Sequence, residues 1–220
     1  MIRKILKKYF NRNIDGKIPS SVVLCFCLNK LFGLFRGVVR LHKCVFLAKG
    51  VIIKCKKQIT WGNNIRCERN VTIDALSSHG IKFGDNCSIG KNTRIECTGS
   101  FLFLGKGFKC GDNCGLGTDS FYGCAGGIEI GNDVIVGNYV SMHSENHNYD
   151  ALSCPIRLQG VNHKGIKIGN DCWIGAKATI LDGAEIGDGC VIAAGAVVRG
   201  KFPNNVVIAG VPAKIVKRRL

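Results

Sequence analysis

The chain has 220 residues, of which 46% are hydrophobic and 21% are charged. These values are typical of a globular protein and exclude a disordered chain, and the length allows one or two domains. Glycine accounts for 29 residues but proline for only four, so the glycines do not belong to a low-complexity linker. The fold must therefore use glycine at many positions.

The net charge of +16 is concentrated in the first third of the chain. Residues 1–69 contain 16 Lys and Arg against two Asp and Glu, whereas residues 70–220 contain 15 against 13. Charge alone would allow nucleic-acid binding, but this third has no nucleic-acid-binding motif. We therefore expect no nucleic-acid partner.

The 13 cysteines are expected to be reduced thiols of a cytoplasmic protein. The first residues, MIRKILKKYF, have neither the apolar core nor the small-residue cleavage site of a signal peptide. The cysteines form no repeated C-x-x-C pairs, and several fall at inward positions of the repeat described below, where cysteine acts as a small hydrophobe. Such usage favours a reducing compartment.

Residues 1–60 are predicted to form a basic amphipathic segment. Apolar residues near the start follow the spacing of one helix face: Ile2, Ile5, Leu6, Tyr9 and Phe10. Residues 20–47 are strongly apolar, but cations interrupt them too often for a membrane span of about 20 residues: Lys30, Arg36, Arg40 and Lys43. Two interpretations stay open. Residues 1–48 lie on an anionic membrane surface, at the inner face of the cytoplasmic membrane, or they form a helical cap on the main domain or a neighbouring subunit.

Aliphatic residues recur every six positions in the second half of the chain: Ile168, Ile174, Ile180, Ile186, Ile192 and Val198. The same register is present earlier: Phe83, Ile89, Ile95, Phe101, Ile130, Val136 and Met142. Neither an α-helix nor a flat strand has a six-residue period. A short strand followed by a turn does, with one aliphatic side chain pointing inward and Gly, Asn or Asp in the turn.

Three such units close a triangular coil of about eighteen residues, and stacked coils form a parallel β-helix. The sequence therefore predicts an all-β fold whose β-helix covers residues 61–213 in about eight coils. A loop at 143–165 interrupts the repeat, and residues 214–220 are expected to be a basic tail.

The stretch IKIGNDCWIGAKATILDGAEIGDGCVIAAGAVVRGKFPNNVVIAGVPAKIVKRR resembles the C-terminal half of hexapeptide-repeat acyltransferases, and the resemblance covers residues 81–219. Its specific parts are N-D-x-W-I-G at 170–175, A-G-V-P-A-K at 209–214 and P-I-R…Q-G at 155–160. The most similar members are sugar and polysaccharide O-acetyltransferases. The resemblance implies a left-handed β-helix, a homotrimer with active sites between subunits, and acetyl-CoA as co-substrate. The implied acceptor is a hydroxyl of a sugar, or of a lipid-linked saccharide, in surface polysaccharide or glycan synthesis.

In such enzymes a histidine in a loop between coils acts as general base on the acceptor hydroxyl, a task that neutral imidazole suits near pH 7. His147 matches this position because it begins H-N-Y-D just after the coils break, whereas His143 follows the inward Met142 at the coil edge. Either Glu145 or Asp150 could orient the imidazole. Relatives often have His-x-His here, and this chain has Glu145 at the first position.

Further site residues follow from the same resemblance. Relatives place an asparagine at the acceptor one coil earlier, where this chain has Gly117 and Thr118 with Asp119 beside them. The acceptor is expected to contact Asp119, Glu145, Asp150 and Arg157. The pantetheine arm of CoA is expected along the outside of the coils, with its phosphates on cations near the end of the repeat. The residues assigned to CoA are Trp173, Ala176, Ala194, Arg199, Lys201 and Lys214.

Two other functions are compatible with the fold. Some trimeric β-helix proteins are carbonic anhydrases with three zinc-binding histidines, for which His143, His147 and His163 are enough in number. Their placement in one loop disagrees with ligands on successive coils, so no metal site is predicted. The second alternative is a non-catalytic β-helix scaffold.

Overall fold

The computed structural model describes residue 15 and residues 17–219. The helix predicted from Ile2 to Phe10 lies outside the described residues. The described residues contain one α-helix, three sheets of short strands that surround a single apolar column, and a two-stranded hairpin outside the column.

Helix α1 (Ser20–Leu41) begins after Pro19 and ends at His42, whose φ of 54° breaks the helix. It buries Val23, Gly33 and Gly37. A Cβ at Gly37 would lie 1.8 Å from the carbonyl oxygen of Val45, so only glycine allows this approach. The helix therefore lies directly on the first coil.

Two arginines of α1 also connect it to that coil. Arg36 Nη1 donates to the carbonyl of Leu47 at 3.1 Å, and Arg40 Nη1 donates to the carbonyl of Val51 at 2.9 Å. These bonds agree with the interpretation of residues 20–47 as a helical cap on the main domain.

The strands, numbered in chain order, lie on three faces. The first face consists of β1 (Phe46–Leu47), β4 (Arg66–Cys67), β7 (Ser88–Ile89), β10 (Gly115–Leu116), β13 (Ile135–Val136), β18 (Trp173–Ile174), β21 (Val191–Ile192), β24 (Val206–Gly210) and β25 (Ala213–Arg218). The second consists of β2 (Ile52–Lys54), β5 (Thr72–Asp74), β8 (Arg94–Glu96), β11 (Phe121–Gly123), β14 (Ser141–His143), β19 (Thr179–Leu181) and β22 (Val197–Val198). The third consists of β3 (Ile59–Thr60), β6 (Ile81–Phe83), β9 (Phe108–Cys110), β12 (Ile128–Ile130), β17 (Ile166–Ile168), β20 (Glu185–Ile186) and β23 (Lys201–Phe202).

One strand from each face makes a coil, and every pairing between coils is parallel except that of β25 with β24. The described chain therefore forms seven complete coils, closed by β24 and β25. We call the turn between the first and second faces the first corner, that between the second and third faces the second corner, and that leading to the next coil the third corner. In the sixth coil the first corner contains Ala176 and the second contains Asp182.

The six-residue register identifies the core. Each aliphatic residue of the second-half ladder is at most 4% exposed, and together they form the centre of the column. Small inward residues beside it donate to carbonyls of the next coil, as Cys87 Sγ does to Gly111 (3.0 Å) and Thr93 Oγ1 does to Gly117 (2.6 Å). The predicted parallel β-helix is therefore confirmed.

Phe101 is the exception, and its predicted inward position is wrong. The chain leaves the second face after Glu96 and rejoins the third at Phe108, so Phe101 lies on the intervening loop with 96% of its side chain exposed. Its spacing from Ile95 matches the repeat although no strand contains it.

The ends of the β-helix differ from the predicted boundaries. The first coil begins at Phe46 rather than 61, and a short 3-10 turn at Lys56–Gln58 forms its second corner. The expected tail after residue 213 is the antiparallel strand β25, and Arg219 Nη1 donates to the carbonyl of Gly189 at 2.6 Å. All 13 cysteines fall within the described residues; none is in a disulfide and eight are buried.

Candidate active site

The longest loop leaves the second corner of the fifth coil, between β14 and β17. It contains an antiparallel hairpin of β15 (Asn146–His147) and β16 (Val161–Asn162), in which His147 is opposite Val161. A 3-10 turn at Ile156–Leu158 lies at the far end of the loop. The chain thus breaks the repeat within the predicted range 143–165 and presents His147 beside the coils.

The base of the loop is fixed to the coils by two polar side chains. The buried Asp182 carboxylate accepts the backbone N–H of Lys164 at 2.9 Å and that of Gly165 at 2.7 Å. On the other strand, Ser144 Oγ donates to the carbonyl of Gly123 at 2.8 Å. Both ends of the hairpin are therefore held by rigid coils, which is the arrangement a catalytic side chain requires.

Gln159 holds the outer half of the loop. Its Nε2 donates to the carbonyls of Ala151 (2.8 Å) and Cys154 (2.7 Å), and its Oε1 accepts the N–H of Ala151 at 3.1 Å. Asn148 Nδ2 donates to the carbonyl of Gln159 at 3.0 Å. These bonds satisfy backbone groups that no regular strand pairs.

His147 is exposed and lines a cavity of about 450 Å³ between the loop and the second corners of the sixth and seventh coils. Ionisable neighbours in the lining are Asp150, Lys164, Asp182 and Arg199. Within residues 15 and 17–219, no hydrogen bond or ion pair holds the imidazole of His147. The ring can therefore accept a proton from a hydroxyl bound in the cavity.

Glu145 does not contact His147. Its Oε2 lies 2.6 Å from Nε2 of His163, across the hairpin, and it lines a separate cavity of about 230 Å³ with His143. Of the two carboxylates considered as partners of His147, Asp150 is the one in the same cavity.

Two predicted acceptor residues lie away from His147 within one chain. Asp119 occupies the first corner of the fourth coil, where its Oδ1 accepts from Asn92 Nδ2 at 2.7 Å. Arg157 lies in the 3-10 turn at the far end of the loop and is exposed. Neither lines the cavity of His147.

The residues assigned to CoA divide between different corners. Ala176 and Ala194 stack at the first corner, where the N–H of Gly195 donates to the carbonyl of Ala176 at 2.9 Å. Trp173 is on the adjoining first face with 55% of its side chain exposed. Arg199 is instead at the second corner, in the His147 cavity.

The other two cations are farther along the molecule. Lys201 pairs with Glu185 on the third face at 2.9 Å, and Lys214 is exposed on β25. The second face, whose strand β19 has three residues and spans about 10 Å, separates the Ala176 corner from the Asp182 corner. A single chain therefore does not bring the whole predicted CoA set to His147.

The three histidines considered as zinc ligands have separate surroundings. His143 Nε2 lies 2.6 Å from Ser141 Oγ, His163 pairs with Glu145, and His147 faces its own cavity. In the part of the chain that the structure describes, no three His, Cys, Asp or Glu side chains converge as metal ligands.

Asp182 and Lys164 belong to the site although no motif in the sequence identifies them. Asp is a common turn residue, so only the burial of Asp182 and its bonds to the loop distinguish it. The pairing of His163 with Glu145 follows from the register of the hairpin, which cannot be read from the sequence.

Two family models match this chain. The bacterial transferase hexapeptide (six repeats) matches residues 165–200, and the hexapeptide repeat of succinyl-transferase matches residues 109–141. Both regions lie within the coils that flank the His147 loop.

Individual proteins match a larger part of the chain than the two family models do. "Putative lipopolysaccharide biosynthesis O-acetyl transferase WbbJ" of Escherichia coli is 32% identical over 209 residues, which are 87% of this chain and 92% of that protein. "Probable acetyltransferase Rv3034c" of Mycobacterium tuberculosis is 41% identical over 92 residues, 42% of this chain but only 31% of that protein. Among solved structures, that of a "putative acetyltransferase" of Bacillus cereus is 26% identical, with a TM-score of 0.54 over 77% of this chain and 84% of that one.

The chain therefore belongs to the hexapeptide-repeat acyltransferase family. Its similarity to the E. coli protein covers most of both chains.

Proposed function

We propose that the protein transfers an acetyl group from acetyl-CoA to a hydroxyl of a sugar, with His147 as general base. The observation that carries the proposal is the His147 imidazole, which faces a polar cavity from a hairpin fixed at both ends. The name of the E. coli relative, which refers to lipopolysaccharide, supports a saccharide acceptor. A lipid-linked saccharide used in surface polysaccharide or glycan synthesis, at the inner face of the cytoplasmic membrane, fits this chemistry.

In the proposed reaction His147 removes the hydroxyl proton as the sugar oxygen attacks the thioester carbonyl. The tetrahedral intermediate then collapses, the carbon–sulfur bond breaks, and the imidazolium returns its proton to the departing thiolate of CoA. Asp150 lines the same cavity and is the carboxylate proposed to orient the imidazole. No covalent acyl-enzyme is needed because both substrates bind together.

Polar side chains around His147 suit a saccharide. Asn146, Asn148, Tyr149 and Asn162 line the cavity with amide and phenol groups, which hydrogen-bond to sugar hydroxyls. Arg199 and Lys164 provide positive charge for an anionic group of either substrate.

The separation of the assigned residues supports a homotrimer. We propose that the first corner of one subunit, with Ala176 and Ala194 beside Trp173, faces the His147 loop of the next, so that CoA lies between subunits. The same arrangement would bring Asp119, at the first corner of the neighbouring subunit, toward the acceptor.

The test is an assay of acetyl-CoA consumption, detected as free CoA thiol, against a panel of sugar acceptors. We expect His147→Ala to lower kcat about 10²- to 10⁴-fold with little change in KM for acetyl-CoA. His79→Ala removes an exposed imidazole on the third-face side of the coils and serves as the matched control. Unchanged turnover in His147→Ala would contradict the assignment of the base. A wild-type protein inactive on every acceptor would favour the scaffold alternative.

A further inference from the structure

Helix α1 presents large apolar side chains to solvent, whereas Arg36 and Arg40 extend from it to the first coil. Six large side chains on one helical face, at spacings of one, three and four residues, are between 46% and 67% exposed: Leu24, Leu28, Leu31, Phe32, Phe35 and Val39. We call this set the outer face of α1. Contiguous apolar surfaces of this kind mark contacts with a protein or a membrane.

The cations that interrupt this apolar segment do not interrupt the outer face. Arg36 and Arg40 point to the first coil and donate to its carbonyls, and Lys30 lines a cavity beneath the helix. Contrary to the expectation from its cations, the helix has a mean hydropathy of 1.8 over 18 residues, so its length and composition alone would allow it to cross a membrane. The arginine bonds and the close approach at Gly37 hold it alongside the coil instead, a position suited to the membrane interface.

The cavity beneath α1 is about 330 Å³ and basic. Its charged lining consists of Lys30, Arg36, Lys49, Arg66, Arg69 and Lys91, with Glu68. Arg66 Nε is buried without a hydrogen-bond partner among the described residues, and its nearest carboxylate oxygen, on Glu68, is 3.3 Å away.

Three of these cations repeat along the coils. Lys49, Arg69 and Lys91 occupy the same first-corner position in the first three coils. The N–H of Asn70 donates to the carbonyl of Lys49, and the N–H of Asn92 donates to that of Arg69. Adjacent strands are about 4.8 Å apart, so the three positive charges form a column. Like charges at this separation repel one another, and a bound anion removes that cost.

We propose that α1 lies in the interface of an anionic membrane, with its outer face among the acyl chains and the basic cavity on a lipid headgroup phosphate. Charge complementarity favours an anionic bilayer over a second copy of the chain, because residues 1–69 contain 16 Lys and Arg against two acidic residues. The proposal does not depend on the catalytic role of His147.

The first test is flotation of the full chain with vesicles of phosphatidylcholine alone or with 30% phosphatidylglycerol. We expect the anionic vesicles to bind about tenfold more protein, and Leu31→Glu with Phe35→Glu to lower that binding about tenfold or more. The matched control is Phe101→Glu with Leu102→Glu, two exposed apolar residues far from α1. Equal flotation of the outer-face variant and the wild type would overturn the proposal.

The second test addresses the cavity. Arg69→Gln with Lys91→Gln should weaken binding to anionic vesicles about tenfold, whereas Lys82→Gln with Lys109→Gln, which removes the same charge from the third face, should change it less than about threefold. If the two double variants lose equal amounts of binding to anionic vesicles, the proposed phosphate site is wrong.

Two outcomes identify other uses of the outer face. An alkaline carbonate wash should release the protein from vesicles, and resistance to the wash would contradict an interfacial helix in favour of a spanning one. Light scattering gives the oligomeric state of Leu31→Glu with Phe35→Glu. If the wild type does not bind vesicles and this variant forms a smaller oligomer than the wild type, the outer face is a subunit contact and the proposal fails.

Discussion

Asp182 connects the site to the fold at the scale of one residue. Its carboxylate accepts the two N–H groups at which the loop rejoins the coils, and it is 8% exposed. In Asp182→Asn one oxygen can still accept both N–H groups, but the negative charge is lost and an NH2 donor replaces Oδ2, which lies 3.1 Å from the donating nitrogen of Lys164. This weakens the attachment of the loop by about 1–3 kcal/mol. We expect faster amide hydrogen exchange in residues 144–165 and lower kcat, while the exchange of the coils is unchanged.

A suitable control is Asp133→Asn, at a third corner where the side chain accepts from Asn113 Nδ2 at 3.0 Å away from the loop. If the amides of residues 144–165 exchange at the same rate in Asp182→Asn as in Asp133→Asn, the Asp182 carboxylate does not hold the hairpin.

Cys67 gives a prediction about alkaline stability. The thiol is buried in the second coil, and burial raises its pKa from 9.0 to about 12. Because the folded pKa is raised, this stabilisation is complete below pH 9 and is lost as the pH rises toward 12, by up to about 1.4 kcal/mol per pH unit. Between pH 8 and pH 10.5, the free energy of unfolding should therefore fall about 2 kcal/mol more for wild type than for Cys67→Ala.

Urea unfolding at the two pH values measures this difference. The exposed Cys44→Ala is the control and should behave like wild type. An equal pH dependence for Cys67→Ala and wild type would contradict the role of this thiol.

At the scale of elements, two glycines of α1 approach different kinds of atoms: Gly37 approaches the backbone of the first coil, and Gly33 approaches a side chain. A Cβ at Gly37 would lie 1.8 Å from a backbone oxygen, whereas one at Gly33 would meet the ring of Phe46 at 2.3 Å, and that ring can turn away. Gly37→Ala should therefore release α1 at a cost of about 1–3 kcal/mol, and Gly33→Ala should cost less because alanine also favours the helix.

Limited proteolysis between α1 and β1, combined with thermal unfolding, distinguishes the two glycine variants. Faster cleavage is expected for Gly37→Ala alone. Equal cleavage of both variants would mean that the carbonyl of Val45 does not limit the approach of the helix.

The strands show which parts of the fold the sequence could predict. From Ile168 to Val198 the coils have no insertions, so the six-residue period appears directly in the sequence. The first coil has the same six-residue period, at Leu47, Ile53 and Ile59. Its start could not be recognised in the sequence because the apolar helix directly precedes it. Phe101 shows the converse, since an inserted loop can reproduce the period by coincidence.

The candidate site was predictable to a smaller extent. His147 could be identified because it follows directly on a break in the repeat, and Asp150 lies in its cavity. The partner of Glu145 could not be found from the sequence, because His163 is eighteen residues away and meets it only through the hairpin register.

For the whole molecule, an element outside the repeat lies at each end of the first face. Helix α1 lies on the first coil, and β25 pairs with the last strand of the first face. Terminal elements of this kind prevent end-to-end stacking of repeat proteins. The surfaces left for association are the sides of the column, where Ile135 (61% exposed) and Trp173 (55%) are neighbours on the first face.

Assembly through these sides gives a prediction about shared active sites. If His147 of one subunit acts on CoA held at Ala194 of the next, a trimer containing two different inactive subunits regains some complete sites. His147→Ala removes the base, and Ala194→Trp fills the first corner while leaving the loop intact. In a one-to-one mixture each interface has a one-in-four chance of combining an intact loop with an intact corner, so about a quarter of wild-type activity should return.

The two variants are mixed after reversible dissociation, and acetyl-CoA consumption is compared before and after exchange. As the control, His147→Ala is mixed with a chain carrying both substitutions, which has no intact loop to contribute and should remain inactive. Failure of the first mixture to recover activity, with light scattering confirming mixed oligomers, would place the entire site within one chain. In that case CoA would have to reach His147 through its own cavity, where Arg199 and Lys164 are the available cations.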